Sequence, residues 1–287
     1  MPDINTNTFA EEDEIFWEPT LEEKREMAKK KFRERKKKEA STPDMSPDVK
    51  RLKKTFHVRD LNKIQPKTDN QRIVCEDYRS NPERNFVLYG SAGTGKSFLG
   101  MGLALEDVLD PATPYEKLLV VRSIVPSREI GYLPGDVDEK TSVYEAPYSS
   151  ICDQLFDFSN SWANMKENGI VEFVPTSFLR GQTFNDCIIL VDEIQNMNFG
   201  ELDTIITRVG YNSKVIFCGD SRQNDLINKR NEQSGFSTFI DIVSTLNRHF
   251  SVQEFGHDDI VRSGLVKDYI IRKESFFVEE AQSFNNN

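Results

Sequence analysis

Gly90-Ser91-Ala92-Gly93-Thr94-Gly95-Lys96-Ser97 has the residue types and order that suit a phosphate cradle. It fits the pattern G-x-x-x-x-G-K-[ST]. Glycines let backbone N–H groups turn inward around phosphoryl oxygens, and a helix opening near Phe98 adds the partial positive charge of its N-terminus. In this reading Lys96 neutralises β- and γ-phosphates, and Ser97 offers a hydroxyl to magnesium. The apolar run Phe86 to Tyr89 stands directly ahead, so the strand-loop-helix context separates the segment from an ordinary Gly-rich turn.

A second acidic element complements this loop. Val191-Asp192-Glu193 closes the most apolar run of the chain, so both carboxylates should arrive at the same sheet rim as the loop. Asp192 is placed to hold magnesium through water, and Glu193 to orient an attacking water, since phosphoryl transfer depends mainly on positioning. Gly219-Asp220-Ser221-Arg222-Gln223 follows another apolar run. Asp220 and Gln223 are therefore candidates to sense the γ-phosphate; the alternative is a turn capped by Asp220. Guanine recognition calls for Asn-Lys-x-Asp, and Asn228-Lys229-Arg230-Asn231 lacks that final carboxylate, which points to ATP. Gln71 has an amide able to donate to and accept from an adenine edge, or it is an ordinary surface residue.

These groups need a frame. Runs at Phe86 to Tyr89, Leu118 to Arg122, Ile170 to Val174, Cys187 to Asp192, Lys214 to Gly219 and Ser251 to Phe255 read as strands. Helical spacing is visible at Phe98 to Leu109, Ser149 to Lys166 and Phe236 to Leu246. Alternation of the two predicts an α/β fold with a mostly parallel central sheet, helices on both faces and ligands at the strands' carboxyl ends.

The whole chain has 287 residues and a formal net charge of -10, which argues against coating nucleic acid through bulk positive charge. Cys75, Cys152, Cys187 and Cys218 form no CxxC pair, so neither zinc nor a disulfide framework is indicated and buried thiols are expected. Residues 1–56 carry a Lys, Arg and Glu-rich run and read as a charged N-terminal arm, disordered or loosely helical, with nucleic-acid contact as the sharper alternative. Residues 57–280 read as the folded domain and 281–287 as a polar tail. The start of the chain lacks the pattern of a signal peptide, and no run approaches the ~20 apolar residues of a membrane span. A cytoplasmic protein without membrane contact is expected.

Taken together, the segments resemble the PhoH family of P-loop ATPases, found in bacteria and their phages and related in motif order to the superfamily 1 helicase core. The resemblance spans Lys63 to Arg272 and includes Leu133-Pro134-Gly135-Asp136 with Glu139-Lys140, Phe178-Leu179-Arg180-Gly181-Gln182-Thr183, and Asp192-Glu193-Ile194-Gln195-Asn196. It implies a RecA-like P-loop NTPase fold of three layers. It also implies that Arg262, within Asp259-Ile260-Val261-Arg262, is an arginine finger, in its own subunit or across an interface. Ser263 stands where the family usually has histidine, and Ile194 replaces a usual small residue. In related helicases the positions of Arg122 and Arg180 line the nucleic-acid track; an ion pair or a structural loop is the alternative for each.

The function this implies is magnesium-dependent ATP hydrolysis that remodels or unwinds RNA or single-stranded nucleic acid. One lobe rather than two implies that neighbouring subunits complete the motor, in a homo-oligomeric ring such as a hexamer. A different class of function also fits: an ATP-dependent switch that binds a protein partner through the charged arm. A small-molecule kinase fits less well, because Glu193 points to water as the acceptor.

Overall fold

The computed structural model describes residues 56–124, 137–179, 181–220 and 235–285, together with Lys30. The rest of the charged arm, the Leu133 to Asp136 segment, Arg180 and Gln223 lie outside the described residues. The six apolar runs form strands β1 (Asn85–Gly90), β2 (Lys117–Arg122), β3 (Val171–Pro175), β4 (Cys187–Asp192), β5 (Lys214–Asp220) and β6 (Phe250–Phe255). Their order across the sheet is β3-β2-β4-β5-β1-β6. Every pairing is parallel. Each strand begins and ends within a residue of its expected place; β4 and β5 are buried along their whole length, while the edge strands β3 and β6 keep partly exposed positions.

The connections are helices: α1 (Asp69–Ser80), α2 (Lys96–Leu109), α3 (Val137–Leu155), α4 (Ser161–Glu167), α5 (Phe199–Ile206), α6 (Phe236–Thr245) and α7 (Gly264–Asn285). Alternation along the strands divides the core into two. Leu118, Val120, Ile188, Leu190 and Ile216 face α1 to α4, whereas Leu119, Val121, Ile189, Val191 and Phe217 face α5 and α6. Helix, sheet and helix thus make the three layers, and all four cysteines are buried free thiols. No described helix is long and apolar enough to cross a membrane.

Three helical features differ from the sequence reading. The expected single helix from Ser149 to Lys166 is two, because Phe156 leaves the helix to bridge Leu61 and Asn160 turns the chain through φ 59°. Phe156 and Phe158 instead pack around Phe56, with centroids 5.5 and 5.4 Å from its ring. The polar helix α1 carries no strong apolar signal, yet it buries Val74, Cys75 and Tyr78 at the spacing of one helical face. The last helix continues through Asn285, so most of the polar 281–287 stretch extends α7.

Register sets the site. Arg122 stands beside Asp192 and Gly90 beside both Asp220 and Phe255, so the carboxyl ends of five strands share one rim. Helix α2 leaves that rim and crosses closely behind β4 and β5. A Cβ placed on Gly100 would lie 3.1 Å from Leu190, 3.2 Å from Ile216 and 3.3 Å from the Cys218 sulfur. Gly100→Val should therefore overpack this crossing and lower the unfolding free energy by about 1–3 kcal/mol in urea titration. An unchanged midpoint would show that α2 can move outward without loss.

Candidate functional site

Strand β1 ends at Gly90, and the Ser91 N–H then donates to the Phe255 carbonyl at 2.9 Å, which holds the loop to the end of β6. Lys96 turns back over the loop, donating to the carbonyls of Gly90 (3.1 Å) and Ser91 (2.7 Å) and to Thr94 Oγ1 (3.2 Å). Burial lowers the ammonium's pKa, while nearby Asp220 opposes the shift. A buried cation held by neutral oxygens can exchange those partners for phosphate at little desolvation cost.

Two side chains of α1 support the loop from below. Gln71 donates to the Thr94 carbonyl at 2.8 Å and accepts from the Lys67 N–H at 2.7 Å. The amide expected to meet an adenine edge is thus largely engaged by the protein, with one N–H and one lone pair left for a base. Asn70 donates to Asp259 at 2.8 Å and to the Glu254 carbonyl at 3.2 Å, tying α1 to the turn after β6. That turn returns to the loop, where the Val261 N–H donates to the Gly93 carbonyl at 3.1 Å. Gly93 has φ 73°, and a Cβ there would lie 2.8 Å from Arg262 Cγ, so the arginine stem rests on its own phosphate loop. The exposed Arg262 guanidinium makes no hydrogen bond to a described residue.

The carboxylates converge from the end of β4, one strand beyond β5. Ser97 donates to Asp192 Oδ1 at 2.8 Å, and the hydroxyl of Tyr148 donates to Oδ2 at 3.0 Å. Glu193 adopts φ 57°, a left-handed conformation uncommon for a residue with a Cβ. Gln195 then donates to Glu193 and accepts from the Asp220 N–H at 2.9 Å. Arg122 Nη2 lies 3.9 Å from Glu193 Oε1. Burial pushes the Glu193 carboxyl above its ordinary range, Asp192 adds to the rise, and Arg122 and Gln195 oppose it.

A hydroxyl and a carboxylate oxygen 2.8 Å apart at the mouth of a phosphate loop form a hard-oxygen donor pair. Magnesium is commonly held by one or two such protein groups with water and phosphate completing the shell, so Ser97 and Asp192 fit that ion.

The structure thus brings Gly90 to Ser97, Asp192, Glu193, Asp220, Gln71 and Arg262 to one rim. Arg122 is drawn to Glu193 in the ion-pair alternative to an open track position, while keeping partial exposure. Three contributors have no role assigned by the sequence alone. Gln195 was visible only as part of the Asp-Glu-x-Gln-Asn segment. Glu274 on α7, which accepts from Ser91 at 3.1 Å and meets His257 at 2.7 Å, is separated from the loop by 183 positions. Tyr148 belongs to a stretch with no motif of its own.

The sequence pattern described as PhoH-like protein matches residues 63–272. A PhoH-like protein of Mycobacterium tuberculosis strain H37Rv is 31% identical over 212 residues, covering 72% of this chain and 57% of its own. A PhoH-like protein of Bacillus subtilis is 31% identical over 211 residues, covering 72% of this chain and 63% of its own. Protein PhoH of Escherichia coli K12 is 32% identical over 178 residues, with 61% and 49% covered. This chain therefore spans little more than half the length of the mycobacterial relative it matches. Among solved structures, the large terminase of bacteriophage HK97 aligns with TM-score 0.48 and 13% identity over 80% of this chain and 52% of its own.

Removing the Gln71 amide would leave the Lys67 N–H and Thr94 carbonyl without their buried partner. Gln71→Ala should accordingly cost about 1–3 kcal/mol of stability by denaturant titration. A loss below about 0.5 kcal/mol would mean that water replaces the clamp.

Proposed function

Because the chain belongs to the PhoH-like protein family, we propose that it is an ATPase that hydrolyses ATP with magnesium. The observation that carries this reading is the 2.8 Å contact between Ser97 of the phosphate loop and Asp192, with Glu193 next in sequence. Lys96 exchanges its carbonyl partners for β- and γ-phosphate oxygens. Ser97 and Asp192 hold magnesium, which when bound offsets charge on those phosphates. Glu193 orients the attacking water, and Gln195 holds Glu193 at a fixed distance from the end of β5. Asp220 and Gln223 sense the γ-phosphate from β5 and beyond. Arg262 approaches from the loop's open side; its stem resting on Gly93 favours action in its own subunit.

The purpose we infer is remodelling of RNA or single-stranded nucleic acid by an oligomer, with Arg122 and Arg180 as contact residues. In support of this, the partly exposed Arg122 pairs with Glu193, so a nucleic-acid phosphate competing for the guanidinium would change the partner of the water-orienting carboxylate. The second reading, an ATP-dependent switch for a protein partner that binds the charged arm, is favoured by the net charge of -10.

ATPase rate with and without single-stranded RNA at low salt, on protein of known solution mass, separates the two. An RNA-stimulated rate in an oligomer, reduced by Arg122→Gln, supports the remodelling reading; unstimulated turnover in a monomer favours the switch. Lys96→Ala should abolish tight ATP binding. Glu193→Gln should retain binding and lose at least about 100-fold in turnover, and normal turnover in that variant would remove Glu193 from its role.

The acid side of the rate profile provides an independent check. Turnover requires ionised Glu193 and falls as pH drops through its raised pKa. Gln195 stabilises the ionised form, so Gln195→Leu should move the acid limb to higher pH. A limb that stays in place would assign the titration to another group.

A further inference from the structure

Tyr148 is wholly buried, yet its hydroxyl lies at the rim of the site. Its ring packs beside Trp162 of α4 and Phe173 of β3, with centroids 5.9 and 6.0 Å away. A phenylalanine would fill the same space. The hydroxyl is costly to bury unless it is bonded, and it donates to Asp192 Oδ2 at 3.0 Å. It is absent from the phosphate-loop and Asp-Glu motifs.

We propose that Tyr148 is a positioning residue for the metal-holding carboxylate, fixing the rotation of Asp192 so that Oδ1 alone faces Ser97 and the bound cation. The terminal torsion of an aspartate is broad and nearly two-fold, so a carboxylate with one free oxygen samples a range of orientations. Here both oxygens are assigned: Oδ2 accepts from an immobile phenol and Oδ1 from Ser97. Outer partners of metal ligands commonly set ligand orientation and with it metal affinity. Arg122 stands beside Asp192 in the strand register, and its Nη2 lies 3.9 Å from Glu193 Oε1. Ser97, Asp192 and Tyr148 therefore form one hydrogen-bonded unit, with the Arg122–Glu193 pair on the adjoining side of the same rim.

This inference rests on the assignment of Asp192 as the metal carboxylate, and its test keeps the two apart. Binding of a fluorescent ATP analogue to the full chain is measured in EDTA and across a magnesium titration, for the natural protein and for Tyr148→Phe. The expected result is nucleotide affinity in EDTA within about twofold of the natural protein, with the magnesium concentration for half-maximal effect raised about 10-fold or more. Phe173→Leu, which loosens the ring without touching the hydroxyl, should lower thermal stability and leave the magnesium midpoint in place. An unmoved midpoint in Tyr148→Phe overturns the proposal, as does an equal rise in Phe173→Leu. Absence of any magnesium effect in the natural protein would instead overturn the assignment of Asp192.

Discussion

The close crossing of α2 behind β4 and β5 is the constraint from which the rest of the site follows. Only with the helix axis near the sheet can Ser97, in the first turn of α2, reach Asp192 on a strand that is not adjacent to β1. Strand β5 lies between them, so the phosphate loop and the acidic strand end are separated by one full strand. The missing side chain at Gly100 and the small Cys218 beneath it allow that gap to be spanned by a hydroxyl and a carboxylate. A bulkier contact would push the helix outward and separate the two groups. The interval between β1 and β4 also leaves Asp220 of β5 between the loop and the carboxylates.

Around this crossing, the polar groups at the rim hold one another in pairs. Gln195 bonds to both Glu193 and the backbone of Asp220; Gln71 spans Lys67 and Thr94; Asn70 spans Asp259 and Glu254. Each is an amide, and a neutral amide with several bonding atoms can join two groups where a charged side chain would need its own counter-ion. Buried networks of this kind are rigid when every member is bonded, which suits a site that must keep two carboxylates near each other without neutralising either. Glu193 shows the tension directly: burial and Asp192 favour its protonated form, while Arg122 and Gln195 favour the ionised form.

The opposite end of the sheet is closed by a different device. Lys214, at the start of β5, is buried with its ammonium 3.3 Å from Asp107 and 3.9 Å from the centre of the Tyr78 ring, and Tyr78 donates to the same carboxylate at 2.8 Å. Burial lowers the pKa of this lysine and Asp107 opposes the shift. The carboxylate and the aromatic face together accommodate a charge that would otherwise be costly to remove from water. This cluster joins α1, α2 and β5 at the end away from the phosphate loop, so α2 is fixed at both of its ends.

The sequence by itself determined the phosphate loop, the acidic pair and the six strands. These are local patterns: a glycine-rich turn between a strand and a helix, and short runs rich in β-branched and aromatic residues. Asp220 is a candidate from its place after an apolar run, and Arg262 from the family resemblance. Tertiary structure alone decided which groups complete the site. Tyr148 stands 44 positions from the carboxylate it orients, and Glu274 stands 183 from the serine it accepts from. No spacing rule links such positions, because contact between them depends on how helices pack across a finished sheet. The same holds for Gln71 and Arg122, whose side chains could equally have faced solvent. Their partners were set by strand register and by the need of each buried polar group for a bond, and both are properties of the folded chain.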